Sequence, residues 1–393
     1  MRKSKSCKLL LMFVLFFILT LPIYKEETNI VQELPTVIVD ETQCCSNIES
    51  STPINNDAYT LIGAFGFYNG SKNMSEIESI TFSRIKPTNY DECWNANIAD
   101  TDDIKGYLIG NDVVVVGDYI YTNEMCSYMF AAKNGYGDQL WANLIEVNGL
   151  ELLNTSYAED MTMMFAFSRL TELNGIEQWD VSNVKTFAAM FQGNDHVGDI
   201  KLKYLDISGW DTSSAENMSH MFYGCAQMQY IPVENWDVSS VTTFSHMFAD
   251  CHSLQSIDIS RWDTSSATSF DAFFNDCHSL ITVDVSGLET SSCAQFSQMF
   301  EACINLEQIV GLNMWDVSRA SNYAFSETFY GCHKLKEIDI SSWVATPDNT
   351  ARMFKDCYSL KQLDISGFDM SNNQHKDEMF INCNSLIEII GLD

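Results

Sequence analysis

Positive charge is scarce in this chain: 22 of 393 residues are Lys or Arg, against 53 Asp or Glu, for a formal net charge of −31. A surface this acidic repels phosphate backbones, which excludes nucleic acid as a partner, and it excludes charge-driven binding to an anionic membrane. The short signatures of chemistry are also missing. No C-x-x-C, H-E-x-x-H, P-loop or G-x-S-x-G elbow occurs, so zinc-ribbon, metalloprotease, nucleotide and hydrolase readings have no motif to stand on. Paired carboxylates arise only by repetition, without the unequal surroundings that separate a catalytic acid from a base. No catalytic residue is assigned and no enzyme activity is expected, nor does residues 58–125 hold a motif for one.

The N-terminus carries an address. Arg2, Lys3, Lys5 and Lys8 precede an apolar stretch from Leu9 to Tyr24, the charged and apolar regions of a secretory signal. Residues 1–24 are read as a signal peptide, with a retained signal anchor as the alternative because no small-x-small cleavage site follows at Leu21-Pro22-Ile23-Tyr24. No lipid-attachment cysteine follows either, since Cys7 precedes the stretch. An extracellular or cell-surface location is the expectation. Residues 25–57, with Pro35, Pro53 and many Thr, Asn and Glu, read as a linker. Apolar runs at Tyr59–Tyr68, Ile77–Ile85 and Val113–Tyr121 suggest strands, with turns at Asn69-Gly70 and Asn111-Asp112. Residues 58–125 are thus expected to form a β-rich N-terminal cap.

From Cys126 to Asp393 the chain repeats itself. A landmark Phe falls at 130, 165, 191, 222, 248, 274, 300, 329, 354 and 380, and the last six intervals are 25 to 29 residues. A fixed period of this size marks a solenoid whose units bury their apolar faces against one another. The longer gap of 31 residues before Phe222 places a short insertion near Asn194 to Lys201. Within a unit, Leu254, Ile257, Ile259 and Trp262 fall at positions one, four, six and nine, the L-x-x-L-x-L spacing of leucine-rich repeats, in which a short strand points alternate residues inward. Trp210, Trp236, Trp262, Trp315 and Trp343, with Leu288 and Phe368 in register and Trp179 shifted by one, are expected to pack as a core ladder. Ala267, Phe270, Phe273, Phe274 and Cys277 recur at three and four residues, which predicts a short amphipathic helix capped by Ser265 or Ser266. The predicted class is an α/β, leucine-rich-repeat-like solenoid, one short parallel strand plus one short helix per turn, with the β-rich cap before it.

The strings Cys251-His-Ser-Leu-Gln-Ser-Ile-Asp-Ile-Ser-Arg-Trp-Asp-Thr-Ser-Ser and Asn217-Met-Ser-His-Met-Phe222 resemble the surface-protein repeat of about 25 residues found in mycoplasma lipoproteins, other bacteria and some protists, allied to BspA-like leucine-rich repeats. The resemblance covers Cys126 to Asp393. It implies a repeat fold and surface display, with adhesion or host contact inferred for a few relatives; the lipobox common in mycoplasma members is missing.

Thirteen cysteines in an exported chain would ordinarily suggest disulfides. Cys225, Cys251, Cys277, Cys303, Cys332, Cys357 and Cys383, however, each follow a landmark Phe by three residues, where stacking places them about 5 Å apart with parallel Cβ vectors. They are read as buried thiols filling a core ladder. Cys126 and Cys293 are read as inward too, and Cys44, Cys45 and Cys93 are the disulfide candidates. His252, His278 and His333 directly follow ladder cysteines, but adjacent residues point apart, so Cys-His metal ligation is not expected. His220 and His246 are read as solvated.

Position five of the strands carries Asp206, Asp258, Asp284, Asp339 and Asp364, facing away from the core on the side that would be concave in a curved solenoid. Neighbouring carboxylates ~5 Å apart repel by about 0.8 kcal/mol in water and about 3 kcal/mol at an effective dielectric of 20. Open hydration, Ser and Thr donors, or Ca²⁺ would relieve that. These five residues are the Ca²⁺ candidates; no other cofactor is called for. Asp211, Asp237, Asp263 and Asp316 after the Trp ladder are expected to shape the turn. Glycosylation sequons stand at Asn69, Asn73, Asn154 and Asn217.

Strand positions of Asp, Ser and Gly look monotonous, apart from Pro232, Glu234, Arg261 and Val310, so no tailored pocket is expected there. The protein is read as binding a protein or glycan ligand, with a structural spacer or a Ca²⁺-stabilised module as the alternatives. The last unit breaks off after Leu386-Ile-Glu-Ile389-Ile-Gly-Leu392-Asp393. An open terminal strand invites pairing, so self-association through it, or a truncated gene product, is the expectation.

Overall fold

A computed structural model describes residues 61, 68–97, 102–133, 139–193, 200–321 and 323–391, all within one compact unit, Ile54–Asp393. The signal and linker segments, with Cys44 and Cys45, and most of the expected insertion near Asn194 lie outside the described residues. No helix among those described is long and apolar enough to cross a membrane.

The chain enters through β1 (Ser79–Ser83), β2 (Glu92–Asn95), β3 (Lys105–Ile109) and β4 (Asp112–Val116). The β-branched run of β4 alternates buried and open positions, as a strand with one face on the core requires. Gly110, in the left-handed region at φ 61°, turns β3 into β4; the turn thus sits one residue earlier than Asn111-Asp112. The sheet order is β2-β3-β4-β1-β6, where β6 is Glu146–Asn148. β6 lies beyond residue 125 yet pairs in parallel with β1, so backbone pairing runs unbroken from the cap into the first coil. A second parallel pair, β5 (Ile120–Tyr121) with β7 (Leu153–Asn154), makes the same crossing.

Beyond the cap the coils stack in parallel, with β8 (Thr282–Asp284) on β9 (Gln308–Val310) and β10 (Gln362–Asp364) on β11 (Glu388–Ile390). Positions one, four and six point inward as the spacing requires: Leu280, Val283 and Val285 are buried while Thr282 and Asp284 are exposed. The tryptophans stack, Trp210 on Trp236 with centroids 6.4 Å apart and planes 5° from parallel. Each indole N–H donates to a carbonyl of the preceding coil, as from Trp236 to Ile207, Trp262 to Val233 and Trp343 to Leu312. Trp179 and Trp315 come one residue late in their coils. There a glycine in the left-handed region, Gly175 or Gly311, starts a single 3-10 turn, Ile176–Gln178 or Leu312–Met314, that absorbs the extra residue. Both indoles rejoin the stack.

The second half of the coil departs from expectation: no α-helix occurs among the described residues. In the coil through Phe273, the N–H groups of Phe270, Ala272, Phe274 and Asp276 donate sideways to Gln295, Ser297, Met299 and Glu301 of the next coil. Those of Phe273, Asn275 and Cys277 close tight turns onto Phe270, Ala272 and Phe274. Ala272 and Asp276 take φ near +50° and +55°, which a right-handed helix forbids. The reason is spacing. Landmark phenylalanines stack at 5.7 Å from Phe222 to Phe248 and 5.8 Å from Phe274 to Phe300, whereas packed helices need axes about 8–10 Å apart. Ser265 caps nothing; its N–H instead donates to Asp263 Oδ1. Asp211, Asp237 and Asp316 take the same serine two residues on, an Asx turn.

The cysteine ladder lies behind these turns as free thiols. Each S–H donates to the landmark carbonyl of the preceding coil, Cys251 to Phe222 and Cys277 to Phe248 at 3.2 Å, Cys357 to Phe329 at 3.1 Å. Burial pushes the thiols well above their ordinary range, so they are poor nucleophiles.

Two outcomes follow for stability. Trp262→Ala opens a cavity and strands the Val233 carbonyl, and urea unfolding of the full chain should show a loss of ~3–5 kcal/mol. Ser168 takes the cysteine position in an early coil and its buried hydroxyl lacks a partner. Ser168→Cys, with a thiol that is cheaper to bury, should gain about 1 kcal/mol in the same assay.

Candidate functional site

The outward positions of the strands form a face. Near the C-terminal end of the described coils this face is hollowed into a groove of 720 Å³ lined by Ile281, Glu307, Lys336, Asp339, Asp364 and Ile390, among others. The side chains that shape it sit at positions two, three and five, where alternate residues leave the core. Position two runs Ile281, Glu307, Lys336, Lys361 and Ile387, far from monotonous. Against the expectation of a monotonous strand face, the variety lies at positions two and three rather than at position five and the turn. Of the isoleucines that line the groove, Ile281 is 53% exposed and Ile390 is 47% exposed. Lys336 pairs with Glu307 at 2.5 Å, which pulls the Glu307 carboxyl below its ordinary range. With that lysine neutralised, Glu337, Asp339, Asp364 and Glu388 leave the groove acidic.

The Ca²⁺ candidates lie along this face without converging. Asp258 accepts from the N–H and hydroxyl of Ser260, and Asp339 from those of Ser341; the N–H groups of Ser286 and Ser366 serve Asp284 and Asp364, and the Ser208 hydroxyl serves Asp206. These bonds lower the carboxyls of Asp258 and Asp364. Pro232 and Val310 interrupt the column, so at most two of its aspartates are neighbours. The five do not meet in a group of three within ligand reach among the described residues. Of the sequons, Asn69, Asn73 and Asn154 are exposed, whereas Asn217 is half-buried in the inter-coil ladder with Oδ1 accepting from Ser219. Cys93 is a free, exposed thiol on β2.

The opposite, turn-built face carries polar columns that single-repeat reasoning missed. Its left-handed positions hold His220, His246, Ala272, Gln298, Glu327, Arg352 and Glu378. His220 and His246 stack at 4.6 Å. Instead of being solvated, His220 is half-buried, and burial followed by the His246 charge pushes it down to about 4. Glu301 accepts from Gln298 Nε2 at 2.6 Å and Asn275 Nδ2 at 3.0 Å. Burial and then the Glu327 carboxylate push Glu301 up to about 7. Arg352, 2.9 Å from Glu327, caps the row. Next to it His252 and His278 stack at 4.6 Å, each beside an aspartate two residues earlier.

Comparison with known proteins bears mainly on the repeats. Residues 125–230, 196–311 and 296–391 match the family described as "Mycoplasma protein of unknown function, DUF285". Among curated proteins none matches. Two solved structures are similar in part. One is a leucine-rich repeat protein from Bacteroides ovatus ATCC 8483, 15% identical, covering 80% of this chain and 68% of its own, with a TM-score of 0.32. The other is a leucine rich cell surface protein from Faecalibacterium prausnitzii A2-165, 13% identical, covering 80% and 87%, with a TM-score of 0.25.

The Glu301 row makes a pH prediction. The fold raises this carboxyl above its ordinary value, so its protonated form is the favoured one. The associated stability is full below the unfolded value and is lost as pH rises through about 7. Glu301→Gln keeps an acceptor and removes the charge. Its melting temperature should exceed that of the parent at about pH 8 and match it at about pH 4, as read by scanning fluorimetry across that range.

Proposed function

We propose, for a chain that belongs to the DUF285 family, the role of an exported, surface-displayed repeat protein of the BspA-like kind, without catalysis, that binds a protein ligand along its strand face. The observation that carries this is the 720 Å³ groove, where exposed isoleucines stand beside uncompensated carboxylates. Exposed apolar groups rimmed by charge mark contact surfaces. Their sign selects the partner: a segment that is cationic and apolar gains from both. The charged and apolar residues 2–24 support export. A spacer would need only the uniform inward ladders and would leave the varied position-two column without a use.

Fluorescence titration of the full chain tests the reading, using two peptide panels of equal apolar content, one cationic and one anionic. The cationic panel should bind, more weakly at raised salt, and binding should fall at least tenfold in Ile281→Ser with Ile390→Ser, both exposed positions. Equal affinity for both panels, or binding indifferent to the two substitutions, would leave the spacer reading. Protease shaving of intact cells, with the mass of the mature N-terminus, checks the location.

A further inference from the structure

Two consecutive coils carry the same triplet, Asp250-Cys251-His252 and Asp276-Cys277-His278. In each the cysteine points inward and anchors the segment through its S–H bond to the coil before it. The residues on either side are thereby turned outward together. Asp250 and Asp276 both sit in the left-handed region, at φ 58° and 55°, and each accepts the N–H of its own histidine on its carbonyl at 2.9 Å. The conformation folds each carboxylate back over its imidazole: Asp276 Oδ1 lies 3.0 Å from His278 Nε2, and Asp250 Oδ1 lies 3.5 Å from His252 Nε2.

Stacking of the coils then joins the two pairs. The imidazole centroids are 4.6 Å apart with planes 13° from parallel. One ligand atom each from His252, Asp276 and His278 falls within 4.8 Å of the others. The supports are rigid. Asp250 N–H donates to Asn275 and Asp276 N–H to Glu301, and Asn305 Nδ2 holds the His278 carbonyl at 2.8 Å. Asp250 also takes a hydrogen bond from the Tyr223 side chain. The side chains themselves are 30–38% exposed at His252 and His278, open enough to rotate and admit an ion.

The geometry points to a binding site for a divalent transition cation of the Zn²⁺ class, held by His252, His278 and Asp276, with Asp250 adding a second negative charge. Imidazole nitrogen with carboxylate oxygen suits Zn²⁺ and its neighbours rather than Ca²⁺ or Mg²⁺, which prefer all-oxygen shells. Zn–N and Zn–O bonds near 2.0–2.2 Å require the three atoms to close by roughly 1 Å, within the reach of χ rotation at a half-open site. Two aspartates balance the ion's charge, and the ion in turn offsets the repulsion between them. The site is local. The coil before has Gly224-Cys225-Ala226 and the coil after has Ala302-Cys303-Ile304, neither with a ligand. Because its ligands come from two coils, the ion would staple them across their interface, and it leaves a coordination position toward solvent.

The full chain, purified without a histidine tag, stripped with EDTA and kept with a non-chelating reductant, should be titrated calorimetrically with ZnCl₂ while its melting is followed. One ion per chain and a raised melting temperature are expected. Affinity should fall at least tenfold in His252→Gln, His278→Gln and Asp276→Asn, while His333→Gln, on the same column but with no aspartate at position i−2, should leave it unchanged. Variants are compared only where their metal-free melting matches the parent, so a folding defect is told apart from a lost ligand. Zn²⁺ affinity unmoved in the His252→Gln, His278→Gln double variant, or the absence of any saturable binding by the folded parent, would overturn the assignment. Failure of the peptide titration at the strand groove would leave this site untouched, since it lies on the turn-built face.

Discussion

Everything in this molecule depends on backbone pairing between coils on both sides of the coil at once. The strand half pairs in parallel, β8 on β9 and β10 on β11; the turn half pairs through every second N–H. Both halves therefore advance by a similar small step. That step forbids a helix, places identical side chains directly above one another, and turns each sequence column into a stack. Ring stacking of Trp and Phe, thiol-to-carbonyl bonds and Asx turns are what such a step makes available. Holding sixteen non-glycine residues among those described at positive φ costs about 1–2 kcal/mol each in isolation, a cost offset by the sideways hydrogen bonds those conformations allow.

The inward set was legible in the sequence because it obeys simple periods. Leu254, Ile257, Ile259 and Trp262 announce a strand by alternation, and the cysteines announce a stack by their constant offset from the landmark Phe. The helix was misread for a definite reason. Phe270, Phe273, Phe274 and Cys277 at three and four residues suit one face of a helix and equally suit a run of tight turns; the distance between neighbouring coils separates the two, and no single repeat encodes it. Even the shifted Trp179 had its explanation in view, a glycine four residues earlier that is matched by Gly311 before Trp315.

The outward set was harder to read, since its meaning lies across coils rather than along the chain. Asp258 and Asp284 were found as a column, but their serine partners at i+2 and the breaks at Pro232 and Val310 limit what that column can hold. Three residues of the groove, Ile281, Glu307 and Lys336, come from position two, where they share no motif in sequence. Along the chain His252 and His278 each adjoin a cysteine that points the other way, so sequence adjacency alone holds no ligand set. Their relevant neighbours were the aspartates two residues before, and one another one coil away.

The hydrogen bonds between coils also have a direction. The indoles and thiols of one coil reach back to carbonyls of the coil before it, Trp262 to Val233 and Cys277 to Phe248, so each coil carries donors whose acceptors already exist upstream. The N–H groups of the turn half run the other way, Phe274 to Met299 and Asp276 to Glu301 of the coil after, so every inner coil is gripped from both neighbours by bonds of opposite polarity.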